Sequence, residues 1–200
     1  MLYRVAESRV TLIAIITLAF VLMISSLSGC VMGAHASRPD ISDVDAFYNL
    51  PAALDTNGDA YDFSQTKGKV VLVVNVASLC GLTTVNYADL KSLQDEFGDD
   101  LLIMAFPCNA FLFQEPFGAR KTCAFARKRG FTGVVMAKVS VNGCATSHVF
   151  KYLKRETNTR RIGWNFGKFL VGKDGKVRGF YTPHTRPVTM KEQITKLIAE

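Results

Sequence analysis

A run of β-branched residues near the centre of the chain constrains the fold more than any other feature of the sequence. Residues 70–77 read Val-Val-Leu-Val-Val-Asn-Val-Ala, without the polar alternation of a strand that has one solvated face. Such a run is typical of a strand that is buried on both faces. Because helices must then cover both faces of its sheet, the run predicts an α/β fold.

The segments on either side of this strand supply the rest of the sheet and its helices. A turn signal at 55–58 predicts an edge hairpin within residues 47–69. Further strands are predicted at 101–106, 134–141, 164–171 and 176–181, and helices at 87–97, 121–128, 146–155 and 189–200. This order, β-α-β followed by β-β-α, predicts a thioredoxin-like fold, a three-layer α/β/α sandwich with a central mixed sheet.

The first 30 residues have the composition of a targeting segment. Arg4 and Arg9 precede an apolar stretch at 12–24, and small residues follow as far as Cys30. The ending Leu-Ser-Gly-Cys resembles a bacterial lipobox, in which the cysteine becomes the lipidated N-terminus. Three alternatives stay open: a lipoprotein anchored at Cys30, an uncleaved membrane anchor, and a cleaved secretion signal. In each, residues 31–45 form a polar tether, and the domain at 46–200 lies outside the cytosol or on a membrane face.

The charge pattern and the cysteine spacing exclude several classes of function. The net charge of +7 is moderate, and the chain has neither a block of like charges nor a basic ladder interleaved with aromatics, so we expect no nucleic-acid partner. The five cysteines include no C-x-x-C pair and the three histidines are isolated. We therefore expect no metal site, and no cofactor of another kind.

Cys80 is the residue whose position suggests chemistry. It follows the predicted buried strand and precedes a helix, at the sheet edge where α/β proteins place their sites. The positive end of a helix dipole favours a thiolate over a thiol, and the thiolate is the nucleophile. Position alone leaves a second interpretation open, in which Cys80 is a small buried hydrophobe.

Three motifs resemble those of the glutathione peroxidase family. Asn75-Val-Ala-Ser-Leu-Cys-Gly-Leu-Thr83 resembles the motif of the family's nucleophile, and Phe106-Pro-Cys-Asn109 with Gln114-Glu-Pro116 resembles the second motif. Trp164-Asn-Phe166, followed by residues 168–171, resembles the third. The resemblance covers about residues 68–187 and implies a catalytic tetrad of Cys80, Gln114, Trp164 and Asn165. Amide and indole N–H groups stay neutral, and they favour the anionic form of a sulfur to which they donate.

The resemblance implies a cysteine peroxidase that reduces hydrogen peroxide and organic or lipid hydroperoxides, and that is regenerated by a thioredoxin-type protein or by glutathione. Relatives that use thioredoxin carry a resolving cysteine in the helix after the second motif. Cys123 lies in that helix, either as the resolving cysteine or as a free surface thiol. Two other functions are weighed: a thiol-disulfide oxidoreductase and a non-catalytic envelope lipoprotein. The first is disfavoured because Thr83 occupies the position where the second cysteine of a C-x-x-C pair would be.

The chain departs from the family pattern beside the site. The family has two glycines before its catalytic glutamine, where this chain has Leu112 and Phe113, so the loop should be stiffer and the mouth of the site more hydrophobic. Basic residues at 120–121 and 127–129 could attract an anionic reductant or a membrane, or could form a solvated face. Because no long insertion separates Arg155 from Trp164, where tetrameric relatives carry an assembly loop, we expect a monomer.

Overall fold

The structure is a computed structural model, and it describes residues 39–200. The predicted targeting segment, the lipidation candidate Cys30 and the tether up to residue 38 lie outside the described residues. Across residues 39–200, no helix is both long enough and apolar enough to cross a membrane.

A mixed five-stranded sheet forms the centre of the domain. Its strands are β3 (Val70–Val76), β4 (Leu101–Pro107), β5 (Val134–Val135), β6 (Lys168–Val171) and β7 (Val177–Tyr181), and they lie in the order β5-β4-β3-β6-β7. β3 pairs in parallel with β4, as β4 does with β5, whereas β6 is antiparallel to both β3 and β7. A separate antiparallel pair, β1 (Ala53–Leu54) and β2 (Ala60–Tyr61), forms the predicted hairpin.

β3 lies in the middle of the sheet, as its composition predicts. All seven of its residues are buried. Successive side chains of a strand point to opposite faces, and here Leu72 and Val74 join one hydrophobic core while Val71 and Val73 join the other. The run has no polar alternation because both faces of the strand are covered.

Helices cover the two faces and complete the three layers. α1 (Thr83–Phe97), α2 (Ala119–Lys128) and α4 (Lys191–Ala199) contribute to the first core, and α3 (His148–Glu156) contributes to the second. Short 3-10 helices lie at Phe47–Asn49, Phe63–Thr66, Gly98–Asp100 and Pro187–Met190. The predicted thioredoxin-like α/β/α sandwich is confirmed.

Two strand predictions were too long. The predicted strand at 134–141 is reduced to β5. Beyond it the N–H groups of Met136 and Val139 still donate to the carbonyls of Ala105 and Pro107 in β4, but the N–H of Ala137 donates to Leu54 of the hairpin. The strand predicted at 164–171 begins only at Lys168, since Phe166 has a left-handed backbone with φ of 68°. Both differences come from tertiary contacts that a local pattern does not contain.

Candidate active site

A cavity of about 610 Å³ brings together three of the four predicted tetrad residues. It is lined by Cys80, Gln114 and Trp164, with Gly81, Leu82, Gly163, Pro183 and His184 completing the wall. These residues come from three motifs that are far apart in the sequence. The predicted convergence of distant segments on Cys80 is therefore present in the structure.

Cys80 lies in the turn between β3 and α1, and only 7% of its surface is exposed. Its carbonyl accepts from the backbone N–H of Thr83, the first residue of α1, at 3.0 Å. The Thr83 hydroxyl donates to the carbonyl of Ala77 at 2.6 Å, which fixes the turn from its other side. Cys80 thus precedes the N-terminal end of a 15-residue helix, as the sequence predicted.

Asn165 lies behind Gln114. Its Nδ2 donates to Gln114 Oε1 at 3.0 Å, and the residue itself is fully buried. Asn165 Oδ1 is also buried and has no hydrogen-bond partner, which costs about 1–3 kcal/mol in a folded protein. Trp164 packs against Phe111, with ring centroids 5.6 Å apart. Asn165 is therefore joined to Gln114 by a hydrogen bond, and Gln114 and Trp164 line the same cavity as Cys80.

Asn75 positions the third motif, and the sequence analysis gave it no role of its own. Its Nδ2 donates to the carbonyl of Trp164 at 3.1 Å, and its Oδ1 accepts from the N–H of Gly167 at 2.9 Å. These two bonds join the left-handed turn at Phe166 to the central strand. The sequence did contain a signal for this role, because Asn75 is the one amide in the apolar run 70–77 and a buried amide needs specific hydrogen-bond partners.

Glu115 is a second positioning residue that the sequence analysis did not single out. Its buried carboxylate accepts from the N–H and the hydroxyl of Ser78, both at 2.8 Å, and from the Thr122 hydroxyl at 3.1 Å. Its backbone carbonyl accepts from Lys138 Nζ at 2.6 Å. One carboxylate thus ties the segment before Cys80 to the start of α2.

Lys168 supports the wall of the cavity that contains Pro183 and His184. Its amine is buried and donates to the carbonyls of Pro183 at 3.2 Å and Thr185 at 2.6 Å. Burial lowers the pKa of Lys168 to about 8. A bidentate ion pair between Arg186 and Asp89 of α1, at 2.6 and 3.0 Å, holds the same turn from the outside.

Cys123 is not part of the Cys80 cavity. It lies half-buried on α2 and lines a different cavity of about 580 Å³, together with Arg120 and Arg127. Cys108, within the second motif, is buried, and burial raises the pKa of its thiol, which suits a structural role. Within residues 39–200, no group of histidine, cysteine or acidic side chains could hold a metal ion.

Comparison with known proteins places this geometry in a family. The family model described as glutathione peroxidase matches residues 47–154. The chain is 45% identical over 178 residues to glutathione peroxidase 1, mitochondrial, from Chlamydomonas reinhardtii, covering 86% of this chain and 87% of that protein. It is 42% identical over 160 residues to the glutathione peroxidase-like peroxiredoxin HYR1 of Saccharomyces cerevisiae, covering 77% of this chain and 97% of that protein.

Solved structures agree with the sequence matches. The crystal structure of Trgpx in apo form has a TM-score of 0.64 and 36% identity, covering 78% of this chain and 97% of that chain. A thiol:disulfide interchange protein from Chlorobium tepidum has a TM-score of 0.54 at 13% identity, covering 74% and 96%, and this likeness shows the thioredoxin-like fold alone. Because the family model and relatives more than 40% identical both match it, the chain belongs to the glutathione peroxidase family.

Proposed function

We propose that Cys80 is the nucleophile of this thiol peroxidase, that Gln114 and Trp164 are the neutral donors that activate it, and that Asn165 positions Gln114. The family supplies the peroxide-reducing activity. The assignment of roles to residues depends on one observation: Cys80, Gln114 and Trp164 line a single cavity, and Asn165 donates a hydrogen bond to Gln114. Such donors stabilise an anionic sulfur and the charge that develops on a departing oxygen.

The proposed cycle begins with attack of the Cys80 thiolate on the terminal oxygen of a hydroperoxide. The O–O bond breaks as the S–O bond forms, so the sulfur is oxidised to sulfenic acid and the departing alkoxide takes a proton to become the alcohol. A thiol then displaces water from the sulfenic acid and forms a disulfide. A second thiol reduces this disulfide and restores Cys80, which balances the two electrons taken by the peroxide.

Cys123 is proposed as the first of these thiols. Its helix, α2, buries only Thr122 and Ala126, and its first turn carries basic residues, which oppose the helix dipole. A helix with so few buried contacts opens locally at low free energy. Opening would let Cys123 leave its own cavity and reach the oxidised Cys80, and a thioredoxin-type protein would then reduce the exposed disulfide.

Steady-state reduction of hydrogen peroxide by the full chain, with thioredoxin and with glutathione in parallel, tests both assignments. We expect turnover with thioredoxin that is abolished in Cys80→Ser and strongly reduced in Cys123→Ser. The matched control is Cys144→Ser, which changes an exposed cysteine and should leave turnover unchanged. Full activity in Cys80→Ser would refute the nucleophile, and thioredoxin turnover that survives in Cys123→Ser would refute the resolving role.

We further propose that residues 1–30 attach the domain to a membrane outside the cytosol, through lipidation of Cys30. The basic start, the apolar stretch and the Leu-Ser-Gly-Cys ending support this proposal. Mass spectrometry of the mature N-terminus, from a bacterium that expresses the full chain, should find a diacylglyceryl group on Cys30. An intact N-terminus, or cleavage at another position, would contradict the lipidation.

A further inference from the structure

Three large apolar side chains are exposed within two residues of Cys80 or Gln114, which line the cavity. Leu79 is 57% exposed, Leu112 73% and Phe113 79%. The backbone N–H of Leu79, next to Cys80, donates to the carbonyl of Gln114, next to Phe113, at 2.9 Å. This bond joins the two segments at one edge of the cavity. Leu79, Leu112 and Phe113 are named the apolar rim.

The backbone of the apolar rim is strained in a way that its side chains do not offset. Leu112 has φ of 50° and Phe113 has φ of 53°, in the left-handed region that glycine adopts freely and that bulky residues avoid. Burial of the side chains could compensate for this conformation, yet both are largely exposed. Strain that persists beside a reactive residue indicates a function for the side chains themselves.

The charges around the cavity favour an anionic partner surface. In the described segments that line or flank the cavity, residues 78–83, 109–121, 159–164 and 182–186, the one acidic residue is Glu115, and it is buried. Exposed basic residues occur close in sequence to the lining residues Gly163 and Trp164, namely Arg160 and Arg161. Apolar side chains within a basic surround are typical of segments that bind anionic lipid interfaces.

The chain that precedes the domain favours the same partner. The apolar stretch at 12–24 has the composition of a segment that a bilayer takes up, and the proposed lipidation of Cys30 would hold the domain at that bilayer.

We propose that the apolar rim inserts into the interface of an anionic lipid bilayer, so that the Cys80 cavity opens onto hydroperoxides held in that bilayer. The inference rests on the proposed function and adds the surface by which the enzyme reaches its substrate. A lipid interface accommodates separately protruding side chains, whereas a protein partner needs a matching pocket for each of them.

The single tryptophan of the chain, Trp164, lines the cavity and provides the test. Full-length protein is mixed with vesicles of phosphatidylcholine and phosphatidylglycerol that contain brominated acyl chains, which quench nearby tryptophan. We expect the fluorescence of Trp164 to be quenched in the wild type and not in the double variant Leu112→Gly/Phe113→Gly. Glycine is chosen because it adopts the left-handed backbone of these two positions without strain. Reduction of phospholipid hydroperoxide in these vesicles should fall about tenfold or more in the double variant, while that of hydrogen peroxide stays unchanged.

Leu54→Gly is the matched control, because Leu54 is 54% exposed but lies on β1 and does not line the cavity. It should keep both the quenching and the vesicle activity, because it leaves the apolar rim intact. Equal quenching in the wild type and the double variant would overturn the proposal. So would an unchanged vesicle activity combined with a raised KM for thioredoxin, which would assign the rim to a protein reductant. Failure to reduce hydrogen peroxide in the wild type would instead refute the proposed function, whatever the quenching shows.

Discussion

Replacing Leu112 and Phe113 by glycine should stabilise the protein, although it removes two large apolar side chains. A left-handed conformation costs a bulky residue about 1–2 kcal/mol, which makes about 2–4 kcal/mol for the pair at φ of 50° and 53°. Glycine offsets part of this gain, because its greater freedom in the unfolded chain destabilises the folded state by about 0.5–1 kcal/mol per position. Because the side chains are 73% and 79% exposed, little buried area is lost. The double variant should therefore gain about 1–2 kcal/mol in the free energy of unfolding.

Urea denaturation followed by Trp164 fluorescence measures this gain, and a thermal scan should show a Tm about 2–8 °C higher for a domain of this size. Leu54→Gly serves as the control, since it removes an exposed apolar side chain from extended backbone and should destabilise by about 0.5–1 kcal/mol. A double variant less stable than the wild type would refute the reasoning, because the two side chains would then contribute packing that exceeds the backbone strain.

Two further changes test the supports of the site, and a third tests the packing of residue 133 against β4. Glu115→Ala leaves the N–H of Ser78 unpaired in a buried position. It should lower the free energy of unfolding, measured in urea, by about 3 kcal/mol, and it should also lower peroxide turnover. Wild-type values of both would show that the carboxylate does not hold the Cys80 segment. The pKa of Lys168 is lowered to about 8 in the folded protein, against about 10.4 in the unfolded chain. Its charge therefore destabilises the fold by the full amount below about pH 8, and by less as the pH rises to about 10.4. The free energy of unfolding, measured relative to Lys168→Met, should rise by up to about 3 kcal/mol across that window, and a difference that does not change with pH would contradict the burial of the charge. Gly133→Ala should lower the free energy of unfolding by about 2 kcal/mol or more, because the added Cβ would lie 2.3 Å from the carbonyl oxygen of Ile103. A thermal scan measures the change, and an unchanged Tm would mean that the backbone at Ile103 shifts to make room.

The sequence predicted the layers of the fold, since buried strands and amphipathic helices carry local signals. The β-branched run at 70–77 specified a strand covered on both faces, and β3 is that strand. The apolar spacing at 87–97 indicated α1, although the structure begins that helix at Thr83, where the side chain bonds back to the turn. Strand ends were predicted poorly, because tertiary hydrogen bonds at Ala137 and the left-handed turn at Phe166 decide them.

The motifs predicted which residues would meet in the site, but not what holds them there. Cys80, Gln114 and Trp164 share a cavity as the family resemblance implied. The roles of Asn75, Glu115 and Lys168 depend on partners that are remote in sequence, so no local pattern could assign them. The replacement of two glycines was visible in the sequence, whereas the left-handed backbone at Leu112 and Phe113 became evident only in the structure.

Identification of the oxidised sulfur decides whether Cys80 is the nucleophile. Reduced Cys123→Ser protein, in which the proposed resolving thiol cannot consume the sulfenic acid, is exposed to one equivalent of hydrogen peroxide in the presence of dimedone. Peptide mass spectrometry should find the dimedone adduct on Cys80 in near-stoichiometric yield, with little on Cys108 or Cys144. An unlabelled Cys80, with the peroxide consumed and the adduct on another cysteine, would contradict the account.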